Sequence, residues 1–131
     1  MTSSSAIREL PWVSPLVWIA LLASVALLGI GIRAVLAPAS AASGFGIPLS
    51  EGSGLAFVQA FGARNIGLSL FALLAIILDE RRSVGVLFLC AAAIAAIDAL
   101  ILGQHLGIGP TLIRPAAISA ALLIIGGFLL R

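Results

Sequence analysis

Residues 55–102 read LAFVQAFGARNIGLSLFALLAIILDERRSVGVLFLCAAAIAAIDALIL. Two apolar runs, Leu55 to Leu78 and Val84 to Leu102, flank the four consecutive charges Asp79-Glu80-Arg81-Arg82, which cannot sit in hydrocarbon. Each run is close to the roughly 20 residues that an α-helix needs to cross a bilayer. Transmembrane strands alternate apolar and polar residues and run only about 9–11 residues, so these unbroken runs exclude a barrel. The stretch is a helical hairpin folded back at a charged turn.

The same reading extends to both ends. Trp12 to Leu36 is apolar apart from Ser14, Ser24 and Arg33, and forms a first span. It is about twice a signal-peptide core of 7–15 residues, so it reads as a retained helix, although Ala37-Pro38-Ala39 faintly resembles a cleavage site. Pro38 to Gly54, rich in Ser, Gly and Pro, reads as a loop. Gly103 to Gly109 forms another turn, and a fourth span follows with Pro110 or Pro115 in its first turn, where no backbone donor is needed. The expected architecture is all-α: an integral membrane four-helix bundle, up-down-up-down, in one domain over 1–131, with spans about 12–36, 55–78, 84–102 and 110–130.

Composition agrees. Of 131 residues, 62% are apolar and 9% charged, against about 45–50% and about 25% in soluble domains. Seven arginines, no lysine and five acids give a net charge of +2, and the absence of a basic run argues against a nucleic-acid partner. A single cysteine excludes an internal disulfide and a cysteine-based metal cluster. One His and one Cys make a transition-metal site unexpected, and no phosphate loop, paired-histidine zinc spacing or nucleophile elbow occurs, so no metal or cofactor is expected. Arg8, Arg81, Arg82 and Arg131 fall on one side of the membrane and Arg33 and Arg114 on the other, which by the positive-inside rule puts both termini in the cytoplasm of a cell-membrane protein.

Hydropathy leaves the charges inside the spans unexplained. Arg64 precedes Asp79 by 15 positions (79 − 64), and Asp98 follows Arg82 by 16 (98 − 82). In an antiparallel hairpin both offsets correspond to about 22–24 Å of rise, so the two side chains are expected to face each other as a salt bridge in the outer half of the bilayer. Gly62 and Gly67 on one helix, and Ala91, Ala92, Ala95 and Ala96 on the other, would let these backbones approach. His105 lies seven residues beyond Asp98 on the same face, Asn65 adjoins Arg64, and Arg33 and Arg114 end at a similar level, with Glu51 able to contribute from the first loop. Asp98, Arg64 and His105 are the catalytic candidates, and Arg64, Asn65, Asp98, Arg33 and Arg114 the ligand-binding candidates. A charge pair that only fixes helix register, an interfacial His105, arginines that snorkel to headgroups and a buried, inert Cys90 are the structural alternatives.

The residues Leu36-Ala37-Pro38, Gly44-Phe45-Gly46-Ile47-Pro48, Gly62-Ala63-Arg64-Asn65-Ile66-Gly67-Leu68 and Asp98 resemble those of small four-helix membrane proteins grouped as domain of unknown function 4267, over about residues 30 to 108. The resemblance implies the four-helix architecture and marks Phe45, Gly46, Pro48, Arg64, Gly67, Asp98 and His105. It implies no activity. Where that family usually has an acid after the arginine, this chain has Asn65, which leaves Asp98 the sole acid inside a span.

Three functions fit these residues. The first is a membrane-embedded site, reached from the outer half of the bilayer, that binds or converts a small amphiphile, with Arg64 meeting an anionic or carbonyl group and Asp98 orienting it or accepting a proton. The second is a small transporter of the four-helix exporter type, although those carry their carboxylate in the first helix. The third is an accessory or structural membrane subunit. The lipid bilayer, a small amphiphilic ligand and a homo-oligomer are the expected partners.

Overall fold

The computed structural model describes residues 12–49 and 52–131. Five α-helices follow one another: α1 (Pro15–Leu36), α2 (Pro38–Phe45), α3 (Ser53–Ile77), α4 (Arg81–Leu106) and α5 (Ile113–Leu129), the last preceded by a 3₁₀ turn over Pro110–Leu112. No strand occurs among the described residues. Four segments are long and apolar enough to cross a membrane, and only 17% to 33% of their apolar windows is buried inside the protein. The remaining apolar surface calls for an apolar solvent, so the chain is a multi-pass membrane protein.

Local chemistry sets the helix ends. Ser14 caps α1 by accepting the Leu16 N–H at 3.3 Å, and Pro15 fills the first helical position. Pro38 disfavours helical geometry at Ala37, which turns to φ −136°, and then itself begins α2. The expected loop over 38–54 is thus corrected in its first half. Serine and alanine tolerate a helix there, and Gly46 at φ 104° closes it, with the Ile47 N–H on the Ala42 carbonyl and the Gly46 N–H on that of Ser43. The same bonding pattern ends α3, where Asp79 takes φ 62° and the Glu80 N–H donates to the Ala75 carbonyl. Chain direction therefore reverses at the charged turn, as expected.

Packing divides the four spans into two antiparallel hairpins, α1 with α3 and α4 with α5. Each has a seam of small residues at alternating spacings of three and four. Val17, Ala20, Ser24, Gly31 and Ala34 of α1 meet Gly62, Asn65, Ser69, Ala72 and Ile76 of α3. Gly85, Phe88, Ala92, Ala95 and Leu102 of α4 meet Pro115, Ser119, Gly126 and Leu129 of α5. Helices associating in lipid gain little from hydrophobicity, so close backbone approach through Gly, Ala and Ser is the physical means of holding them together. The Ser119 hydroxyl adds a cross-helix bond to the Ala92 carbonyl at 2.9 Å.

The hairpins meet each other at two levels. At the end carrying the charged turn, Val17, Ala20, Ala75, Ile76, Val84, Phe88 and Leu129 form one core that joins all four spans. At the opposite end α2 packs on α1 and α3 of the first hairpin, and its C-cap Gly46 reaches the second. Phe45 packs on Phe61 of α3 with ring centroids 6.3 Å apart, and Gly46 sits against Leu106 and Thr111 at the head of the second hairpin.

Candidate functional site

Two further stripes run along the helices outside the seams. On α3, positions 57, 61, 64, 68, 71 and 75 recur at spacings of four and three, so Arg64 shares a face with Ala75. On α4, positions 84, 87, 91, 94, 98, 101 and 105 do the same, so Asp98 and His105 share a face with Val84. Ala75 and Val84 both belong to the core that joins the hairpins, so the two faces converge there. Away from that core α3 packs mainly on α1, and α4 on α5.

The expected salt bridge between Arg64 and Asp98 is absent. Arg64 is exposed and Asp98 half-buried, and among the described residues no ion pair or hydrogen bond joins them. The helix pairing explains this: the glycines and alanines taken to draw α3 and α4 together serve other contacts. Gly62 packs on α1, Ala92 and Ala95 pack in the seam with α5, and Gly67 faces open space. Matching depth survives as a sequence inference, whereas contact does not.

Arg64 lies 11 residues from Ser53 and 13 from Ile77 (64 − 53 and 77 − 64), about three helical turns from either end of α3. A charge at such depth costs about 2.5–3.5 kcal/mol on insertion scales, and Asp98 faces a cost of the same order. Asn65 is turned into the α1–α3 seam and buried, one position round the helix from Arg64. His105 is exposed, and its Nδ1 lies 2.9 Å from the Ile101 carbonyl oxygen. A carbonyl only accepts, so Nδ1 carries the proton and donates.

The remaining candidates do not join them. Arg33 donates from Nη2 to the Ser40 hydroxyl at 2.8 Å and the Ser40 carbonyl at 3.2 Å, clamping α2 to the end of α1. Arg114 is exposed in the first turn of α5, without a contact that brings it to Arg64 or Asp98. Glu51 and Arg8 lie outside the described residues. Cys90, expected in the interior, is exposed, as is Trp18, whose indole N–H donates to the Trp12 carbonyl at 3.1 Å. Both lie on helix faces turned away from the seams. Among the described residues no group of three His, Cys, Asp or Glu is placed to hold a metal ion.

Sequence reasoning missed the roles of Ser40, Phe61 and Arg81. Arg81, read as a topology anchor, donates from Nε to the Leu129 carbonyl at 2.9 Å and from Nη2 to that of Phe128 at 3.0 Å, satisfying the end of α5. The signal for α2 was available in Pro38 and Gly46, a starter and a stopper eight positions apart.

The sequence profile described as domain of unknown function (DUF4267) matches residues 24–130. Neither a curated protein nor a solved structure matches this chain.

Proposed function

Since the chain belongs to the family described as domain of unknown function (DUF4267) and carries four membrane-spanning helices, we propose that it binds a small amphiphile inside the membrane, between α3 and α4 and beneath α2. One observation carries this reading. Arg64 and Asp98 stand on faces that converge at the shared core, yet among the described residues neither has a protein partner for its charge. Charges placed in apolar spans at a cost of this size call for a compensating group, and intramembrane ionisable residues are functional by default. Phe45 of α2 packs on Phe61, three positions before Arg64 on the same face of α3, which brings α2 near the proposed site.

On this reading Arg64 receives an anionic or carbonyl group, Asp98 supplies the counter-charge, and His105 offers Nε2 nearer the surface. With both termini read as cytoplasmic from the positive-inside rule, the proposed site opens to the outer half of a cell membrane. The test is native mass spectrometry of protein purified in mild detergent. Wild type retains a small amphiphile that Arg64→Gln loses, with the two melting alike. Equal retention by both proteins contradicts the reading.

A further inference from the structure

The chain crosses from one hairpin to the other once. α1, α2 and α3 precede residues 78–80 and α4 and α5 follow them, so three residues are the sole covalent link between the two halves. That link lies at the same end as the core shared by Ala75, Ile76, Val84 and Leu129. Beyond the core the facing stripes part: Ala75 and Val84 are buried, whereas Phe71 and Ile94, further along the same stripes, are 52% and 43% exposed. Covalent link and shared core thus coincide at one end of the bundle. This is the arrangement of a hinge, in which a few residues at element ends absorb the rotation of the bodies they join.

Each arm is held within itself by its own seam of small residues, and α2 is tied to the first arm alone by polar bonds. Arg33 donates to the Ser40 hydroxyl and carbonyl, and Phe45 rests on Phe61. Toward the second arm the tie is of another kind. A Cβ on Gly46 would stand 3.5 Å from the Leu106 side chain and 3.6 Å from that of Thr111, which is van der Waals contact, and among the described residues no hydrogen bond joins α2 to α4 or α5. We infer that α2 is a strap: it rides on the first hairpin, latches the second through Gly46, and on release lets the two hairpins swing apart about residues 78–80. Leu106 lies 22 residues beyond Val84 (106 − 84), about 33 Å of helix, so a rotation of about 10° at the core carries the tip of α4 about 6 Å. Such an opening would give a tailed molecule a way in from the membrane, but the movement itself does not depend on the ligand site proposed above.

The experiment attaches nitroxide labels to pairs of introduced cysteines in the full chain, reconstituted in lipid nanodiscs and carrying Cys90→Ala because Cys90 is itself exposed. Ala60→Cys with Gln104→Cys reports the far ends of α3 and α4, and Leu74→Cys with Val86→Cys reports the ends beside the core, all four positions being exposed. Leu106→Ala removes a contact on the second hairpin, and Arg33→Gln loosens the strap from the first. Each should lengthen the far distance by about 6 Å, the tip displacement of a rotation of about 10°, and leave the core distance as it is. A far distance that neither variant changes overturns the inference. Equal lengthening of the core pair overturns it too, since the bundle would then be loosening throughout instead of turning about one end.

Discussion

Gly31 of α1 and Gly62 of α3 pack backbone on backbone: a Cβ on Gly31 would stand 2.8 Å from the Gly62 carbonyl oxygen, and one on Gly62 would stand 2.7 Å from that of Gly31. Gly85 and Gly126 hold the second hairpin in a similar way, with a Cβ on Gly126 meeting the Gly85 carbonyl at 3.0 Å. The first contact lies late in α1 and early in α3, and the second early in α4 and late in α5. Each hairpin is therefore tightest at a different end of the bundle.

Gly62→Val should separate α1 from α3 and destabilise the protein by about 1–3 kcal/mol, the usual cost of forcing volume into a packed site. Gly67→Ala is the control: it faces open space, and alanine's better helix propensity makes it neutral or slightly stabilising. Melting of both variants in one detergent checks the contrast, and an equal loss in the two would contradict the assigned seam.

Arg81→Gln should free the Leu129 and Phe128 carbonyls and destabilise α5 by about 1.5–3 kcal/mol, the range for hydrogen bonds to a charged group. Arg82 is exposed, and Arg82→Gln should change stability by less than about 0.5 kcal/mol. Amide exchange over residues 125–130 is the direct readout, since Arg81→Gln alone should accelerate it.

Arg33→Gln removes the clamp on Ser40 and should raise amide exchange over Pro38–Phe45, leaving α1 protected. If α2 roofs the site, the same variant also shortens the residence of the retained amphiphile. Unchanged exchange across α2 would show that Phe45 on Phe61 suffices to hold it.

Ser119→Ala deletes one bond between α5 and α4 and should cost about 0.6 kcal/mol, the mean for interhelical hydrogen bonds in a membrane protein. A loss beyond about 2 kcal/mol would mean that the hydroxyl organises more than the Ala92 carbonyl.

The spans were legible because an apolar run has to be about 20 residues long to cross a bilayer, and the charged turn at 79–82 fixes where the chain folds back. The partners of each helix were less so. Alanines and glycines occur on several faces of α3 and α4, and sequence neighbours were taken to be packing neighbours. The seam through Gly62, Asn65, Ser69 and Ala72 shows α3 turned to α1, which leaves Arg64 on another face. The depth match of Arg64 and Asp98 was readable from position counting, because helical rise is fixed. Their separation was not, because it depends on how two hairpins sit together.

A double-mutant cycle with Arg64→Gln, Asp98→Asn and the combined variant, melted after complete removal of lipid, tests most directly whether these charges stand apart. The account predicts that the two effects add within about 0.5 kcal/mol. A coupling above about 1 kcal/mol would mean that the side chains bind each other, leaving no unpartnered charges for a ligand to meet.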